Sequence, residues 1–143
     1  ACELGLAPKI LGWNRETILM EYVEGVLLGD RLRIKVDRDE IGMVLEACFR
    51  LDRGGIDHGQ LSDASRHIIL RNKAPIFIDF GHASTMRRSR NITNITSYLL
   101  NRLHINPKMH KELLDLLRRY SHAYDITSYQ RIREYILDHL PLG

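Results

Sequence analysis

Two stretches carry the groups whose types and spacing could do chemistry. Asp79-Phe80-Gly81 closes an apolar run that begins at Pro75, and Asp57-His58-Gly59-Gln60 opens a polar stretch that reaches Arg66, just ahead of His67. A carboxylate at a strand end, held by rigid β neighbours, can ligate a Mg²⁺ that bridges nucleotide phosphates, because this hard cation selects oxygen ligands. Phosphoryl transfer asks the protein mainly for positioning and charge neutralisation, so one well-held acid already matters. The plainer reading of the same tripeptide is a strand end followed by a turn.

The elements around these stretches follow from periodicity. Residues 6–12, with Pro8 near their start, are extended, and after a turn at Trp13-Asn14-Arg15 the run Glu16 to Val23 completes two antiparallel strands. A Gly-broken segment follows, with a short helix over Arg31 to Ile34. From Asp39, the spacing of Ile41, Val44, Leu45, Cys48 and Leu51 marks one helical face, and Gly54-Gly55 stops it. His67 to Leu70 reads as a buried strand, Asn72-Lys73 as its turn, and Pro75 to Gly81 as a second strand ending in the Asp79 acid. The rest is helical. A helix from about Asn91 buries Ile95, Tyr98, Leu99 and Leu103. A second opens on Asn106 as cap and Pro107, with Met109, Leu113, Leu116, Leu117 and Tyr120 on one face. A third follows Thr127-Ser128 and buries Ile132, Tyr135, Ile136 and Leu140. Strands first and helices after predict an α+β domain with segregated helices.

Composition bounds the function. The chain has 143 residues, 44% hydrophobic and 27% charged, which excludes disorder and collagen. Its net charge of +3 does not by itself require a polyanionic partner. No apolar run approaches a membrane span and no secretory leader is visible, so a cytoplasmic protein without membrane contact is expected. Cys2 and Cys48 lack metal-type spacing and are expected as free thiols; the seven histidines likewise form no zinc-type pair. The sequence runs from Ala1, with no Met, straight into Leu4, Leu6 and Ile10, which reads as a fragment.

The order of parts over about residues 4 to 90 resembles the catalytic core of the protein-kinase-like fold. There, a His-Arg-Asp or His-Gly-Asp loop precedes a β-hairpin that Asp-Phe-Gly closes; His58-Gly59-Gln60 and Asp79-Phe80-Gly81 occupy those places. Ile18-Leu19-Met20-Glu21-Tyr22-Val23-Glu24-Gly25 is similar to the fifth strand and hinge. Small archaeal predicted Ser/Thr kinases, related to the RIO family and to the kinase subunit of the KEOPS complex, look nearest. The resemblance implies a C-terminal lobe over 26–143, with 1–25 as the remnant of N-lobe strands and hinge. It implies ATP and Mg²⁺ as cofactors, Met20 as gatekeeper, backbone groups of Glu21 and Val23 at the adenine edge, and Asp79 on the metal. It makes His58 a structural group beneath the loop.

The chain also departs from that pattern. Gln60 stands where the family has the Asp that orients the substrate hydroxyl, and an amide takes no proton near neutral pH. The second Mg²⁺ ligand, an Asn, is replaced by Ser65 or, counting back from the next strand, by His67, although Mg²⁺ prefers oxygen. Asp63 is the carboxylate that could stand in for the missing acid, against a reading as a solvated turn residue; Asp57 is a weaker candidate. No Gly-rich loop, strand Lys or partner Glu of an N-terminal lobe is present. The implied activity is phosphoryl transfer from Mg-ATP to a hydroxyl on a protein or small molecule, for the parent protein rather than for this piece. The alternatives are a pseudokinase or partner-binding scaffold, favoured by Gln60, and an RNA-associated basic module using Arg87, Arg88 and Arg90. Ser84, Thr85 and Ser89 beside those arginines are candidate phosphorylation sites. The sequons at Asn91 and Asn94 lack a secretory context and read as helix entry.

Overall fold

The structure is a computed structural model that describes residues 4–105 and 110–141. Cys2 and the expected helix start at Asn106, Pro107 and Met109 lie outside them. The fold is α+β. Strands β1 (Ile10–Trp13) and β2 (Ile18–Met20) form an antiparallel hairpin, closed by Asn14, whose Oδ1 accepts from the Glu16 and Thr17 N–H groups at 2.8 and 2.7 Å. Both strands are shorter than the extended runs expected from sequence, and a register shift between Ile10 and Gly12 breaks the first. Leu6 leaves the hairpin altogether. Its side chain is buried, and its carbonyl accepts from the Phe77 N–H at 2.7 Å. Ile10 and Ile18, with Leu11, Trp13, Leu19 and Tyr22, are exposed on the hairpin.

A third strand, β3 (Val26–Leu27), was not legible in the sequence. Gly25 explains it: a Cβ there would lie 2.4 Å from the Leu70 carbonyl oxygen, so only glycine lets the chain enter beside the neighbouring strand. Helix α1 (Leu28–Ile34) follows, then α2 (Arg38–Arg53), capped by Asp37, whose Oδ1 accepts from the Asp39 and Glu40 N–H groups. The expected α2 face is buried, and Ala47 and Phe49 are buried beside it, because α2 packs on several elements at once. Cys48 lies fully inside as a free thiol, and burial pushes its pKa well up, which makes it inert.

The polar stretch after α2 contains a 3₁₀ segment (Leu61–Arg66), kinked at Asp63, that puts Leu61 and Ala64 into the core. Strands β4 (Ile68–Arg71) and β5 (Ala74–Phe77) form the expected hairpin, with Asn72 and Lys73 both at positive φ, and β3-β4-β5 make one antiparallel sheet. The second strand stops at Phe77. Asp79 therefore does not end a strand; it lies two residues beyond, at φ +57°.

Helices α3 (Asn91–Arg102), α4 (His110–Ala123) and α5 (Ile126–Asp138) complete the chain. The last begins earlier than expected because Asp125, not Thr127 or Ser128, is its cap, accepting from the Ser128 N–H at 2.9 Å. The expected faces are inward, with Leu103, Leu116 and Tyr135 only half-buried. Phe49 of α2 stacks on Tyr129 of α5 with centroids 4.1 Å apart. No helix among the described residues is long and apolar enough to cross a membrane.

One buried carboxylate joins these helices. Asp52, at the end of α2, accepts from the Asn91 N–H and Nδ2, both at 2.9 Å, from the Ile92 N–H at 3.2 Å and from the Tyr120 hydroxyl at 2.7 Å. It thus caps α3 and anchors α4. Burial raises its pKa, and these four donors oppose that rise. Tyr120→Phe is expected to cost about 1–2 kcal/mol, and Asp52→Ala about 3 kcal/mol or more, because the latter leaves several buried donors unpaired. Urea unfolding followed by circular dichroism measures both; equal losses would contradict this ranking.

Candidate functional site

A cleft of about 530 Å³ separates the β1–β2 hairpin from the turn after β5. Ala7, Pro8, Ile10, Ile18 and Met20 line one side, and Ile78 to Gly81 the other. The fold thereby brings Met20 and Asp79 to one cavity, although they are far apart in sequence. Glu21 and Val23 do not line it. The Glu21 N–H donates to the Lys9 carbonyl at 2.8 Å, so of its two backbone groups the carbonyl is the one left for a ligand. Its carboxylate accepts from the Lys9 N–H at 3.0 Å and lies 3.8 Å from Arg71 on β4, which ties the hairpin to the other sheet. Val23 is buried.

Asp79 projects an exposed side chain at this cleft, and its Oδ1 is 3.4 Å from the Gly81 N–H. Its Oδ2 faces His67 Nε2 at 3.7 Å. His67 Nδ1 is 2.9 Å from the Asp63 carbonyl, which can only accept, so Nδ1 carries the proton. In that tautomer Nε2 presents a lone pair toward the carboxylate.

His58 lies beneath, fully buried. Its Nε2 donates to the Ile78 carbonyl at 2.8 Å, and its N–H donates to Asn91 Oδ1 at 2.9 Å. The ring packs against His67, Phe77 and Phe80. With the proton on Nε2, the buried Nδ1 has no partner among the described residues, so a second proton there would find no acceptor. Burial accordingly holds the His58 pKa below the usual histidine range, against the pull of the Ile78 carbonyl.

The remaining candidates separate clearly. Gln60 is half-buried ahead of the 3₁₀ segment, and its Oε1 is buried with no partner among the described residues. Asp63 is exposed, and it is its carbonyl rather than its carboxylate that engages His67. Asp57 is buried and structural: Oδ2 accepts from Arg87 Nε, Oδ1 accepts from the Arg90 N–H at 3.1 Å, and its backbone exchanges two 2.9 Å bonds with Ser84. That removes Arg87 from the basic cluster, since its Nη2 also donates to the His82 carbonyl. Arg88 sits over the Tyr124 ring, 5.8 Å from its centroid. Of the candidate phosphorylation sites, Ser89 is buried, Ser84 is half-buried and caps the turn at Met86 and Arg87, and Thr85 is exposed. No group of three or more His, Cys, Asp or Glu side chains converges on a metal position among the described residues.

Sequence reading missed Asn91, taken only as helix entry. Its amide bridges Asp52, the Ile56 carbonyl and the His58 N–H, and nothing in its local spacing signals this. No family model matches the chain, and no curated protein matches it.

The His58 geometry fixes a pH dependence. The folded state favours the neutral ring, whereas the unfolded chain takes up a proton near about pH 6.5. The stabilising contribution is therefore complete above that pH and is lost as pH falls through the lower folded-state pKa. Unfolding midpoints measured from pH 8 to 5 should fall less steeply in His58→Gln than in the native chain; parallel curves would remove His58 from this role.

Proposed function

We propose that the chain is the C-terminal lobe, with part of the hinge, of a protein-kinase-like phosphotransferase that moves a phosphoryl group from Mg-ATP to a hydroxyl acceptor. The observation that carries this reading is the cleft shared by Met20 and Asp79-Phe80-Gly81, with His58 bonded beneath it to the Ile78 carbonyl. A mostly apolar wall suits a flat base, and an exposed carboxylate at the far side suits a cation on the phosphates. Asp79 supplies oxygen ligands for Mg²⁺, which usually binds through one or two carboxylates plus substrate phosphates and waters. A Mg²⁺ held by Asp79 would supply neutralisation of phosphate charge. His67 fits poorly as a ligand, since Mg²⁺ disfavours nitrogen. The Glu21 and Val23 backbone, next in the chain to Met20 but outside the cleft lining, would reach the adenine edge only from the rim of the cleft. Exposed apolar side chains on the β1–β2 hairpin suit a strand pair that packs on an N-terminal lobe.

Gln60 sets the chemistry apart. An amide at this position can orient an acceptor hydroxyl through a hydrogen bond, but cannot take its proton. Asp63, exposed in the same loop, is the acid left for that step, since Asp57, equally near in sequence, is buried and paired with Arg87. The same Gln60 supports the second reading, a nucleotide- or partner-binding pseudokinase.

The test is transfer of labelled γ-phosphate from Mg-ATP by the full-length protein beside Asp79→Ala, with nucleotide binding measured in parallel. Transfer should fall by at least about 100-fold in the variant, the scale of a lost electrostatic stabiliser. Transfer that survives in Asp79→Ala overturns the assignment. Nucleotide binding without transfer in the native protein would select the pseudokinase reading.

A further inference from the structure

Helix α1, the 3₁₀ segment and the last turn of α3 meet at a cavity separate from the Asp79 cleft. Gly29 of α1 is buried, and a Cβ there would sit 2.6 Å from Ser65 Cβ and 2.8 Å from its Oγ, so a missing side chain is what lets α1 close on the 3₁₀ segment. Ser65 Oγ and the Tyr98 hydroxyl are 2.7 Å apart, which ties that segment to α3. Arg102 Nη2 donates to the Gly29 carbonyl at 3.1 Å, tying the last turn of α3 back to α1. These contacts form a closed triangle. It borders a cavity of about 600 Å³ lined chiefly by Asp30, Arg33, Ser65, Arg66 and Arg102.

Each arginine lies in the last turn of its own helix, where the negative end of the macrodipole favours a cation. That explains the residue type at each position but not the convergence of three. Elsewhere Arg31 and Arg118 each face a carboxylate. The side chains of Arg33 and Arg66 have neither a hydrogen bond nor an ion pair among the described residues, and the cavity is lined by three arginines against the single acidic residue Asp30. We propose that this cavity binds a phosphate dianion, free or carried as a small phosphomonoester, held by Arg33 and Arg66 with Arg102 behind them.

The charge surplus on the cavity matches a phosphate dianion, and a guanidinium fork donates two parallel hydrogen bonds to phosphate oxygens. Asp30 repels the anion from its own side and accepts a hydroxyl of an attached polyol. The volume exceeds that of phosphate alone, which leaves room for such a group. This cavity shares no lining residue with the Asp79 cleft, so the inference stands whether or not the chain belongs to a phosphotransferase.

Calorimetric titration of the full chain at about 150 mM NaCl, where diffuse surface attraction is screened, uses inorganic phosphate, ribose 5-phosphate and ribose as probes. Saturable binding of one or both phosphates is expected, with ribose inert. Ribose 5-phosphate binding at least tenfold tighter than phosphate assigns the site to an ester; equal affinities assign it to the free ion. Arg33→Gln with Arg66→Gln should weaken binding at least tenfold, while Arg88→Gln with Arg118→Gln, on a different basic surface, and Asp79→Ala should leave it unchanged. Asp30→Asn should tighten inorganic phosphate several-fold, a gain that misfolding cannot produce. No saturable binding by either phosphate, or equal losses in both arginine pairs, overturns the proposal.

Discussion

The Asp52 carboxylate is the constraint on which the rest depends. It is buried at the end of α2, and its two oxygens take the Asn91 and Ile92 N–H groups and the Asn91 amide at the start of α3, and the Tyr120 hydroxyl of α4. A buried carboxylate is tolerable only when its lone pairs are filled in this way. Tyr120 is the reciprocal partner: burial, then the neighbouring carboxylate, push its hydroxyl far above its ordinary range, so it remains a donor. Removing either partner strands the other in the core. The junction therefore fixes where α3 starts, and with it the position of Asn91.

From Asn91 the constraint passes to the site. Its amide holds the Ile56 carbonyl and the His58 N–H, and His58 in turn holds the Ile78 carbonyl one residue before Asp79. A chain of hydrogen bonds thus runs from the helical core to the turn bearing the exposed carboxylate. Asp57 adds a second strut, locking the segment from Ser84 to Arg90 against the same loop. Such pre-organisation suits a carboxylate at positive φ: the surrounding bonds hold a backbone conformation that an Asp would not adopt strongly alone. The hairpin opposite is held more loosely, by the Glu21 bonds to Lys9 and its contact with Arg71, and it keeps large apolar side chains in solvent.

Much of this was legible in the residues. The α2 face, the Asn72-Lys73 turn, the burial of Cys48 and the inward faces of the last helices follow from periodicity and turn chemistry, which are local. Asp79, His58 and Met20 were also visible as candidates, because a terminal acid, a His-Gly loop and an apolar strand are each marked in sequence. Val26–Leu27 was missed because a two-residue strand has no period, and only its meeting with Leu70 makes it one. Leu6 was assigned to the hairpin because an extended run looks the same whether it pairs or turns inward.

The sequence by itself determined the α+β class, the main helical faces, the Asn72-Lys73 turn and the residue types available for chemistry, since these depend on neighbours within a few positions. Only the tertiary structure decided that Asp57 is a strut and Asp52 a junction while Asp79 stays exposed. It alone placed Met20 across a cleft from Asp79, and gathered Arg33, Arg66 and Arg102 around one cavity. The physical reason is that burial and pairing are properties of distant segments brought together. An aspartate has the same composition everywhere in the chain, and what it does is set by the donors that folding delivers to it.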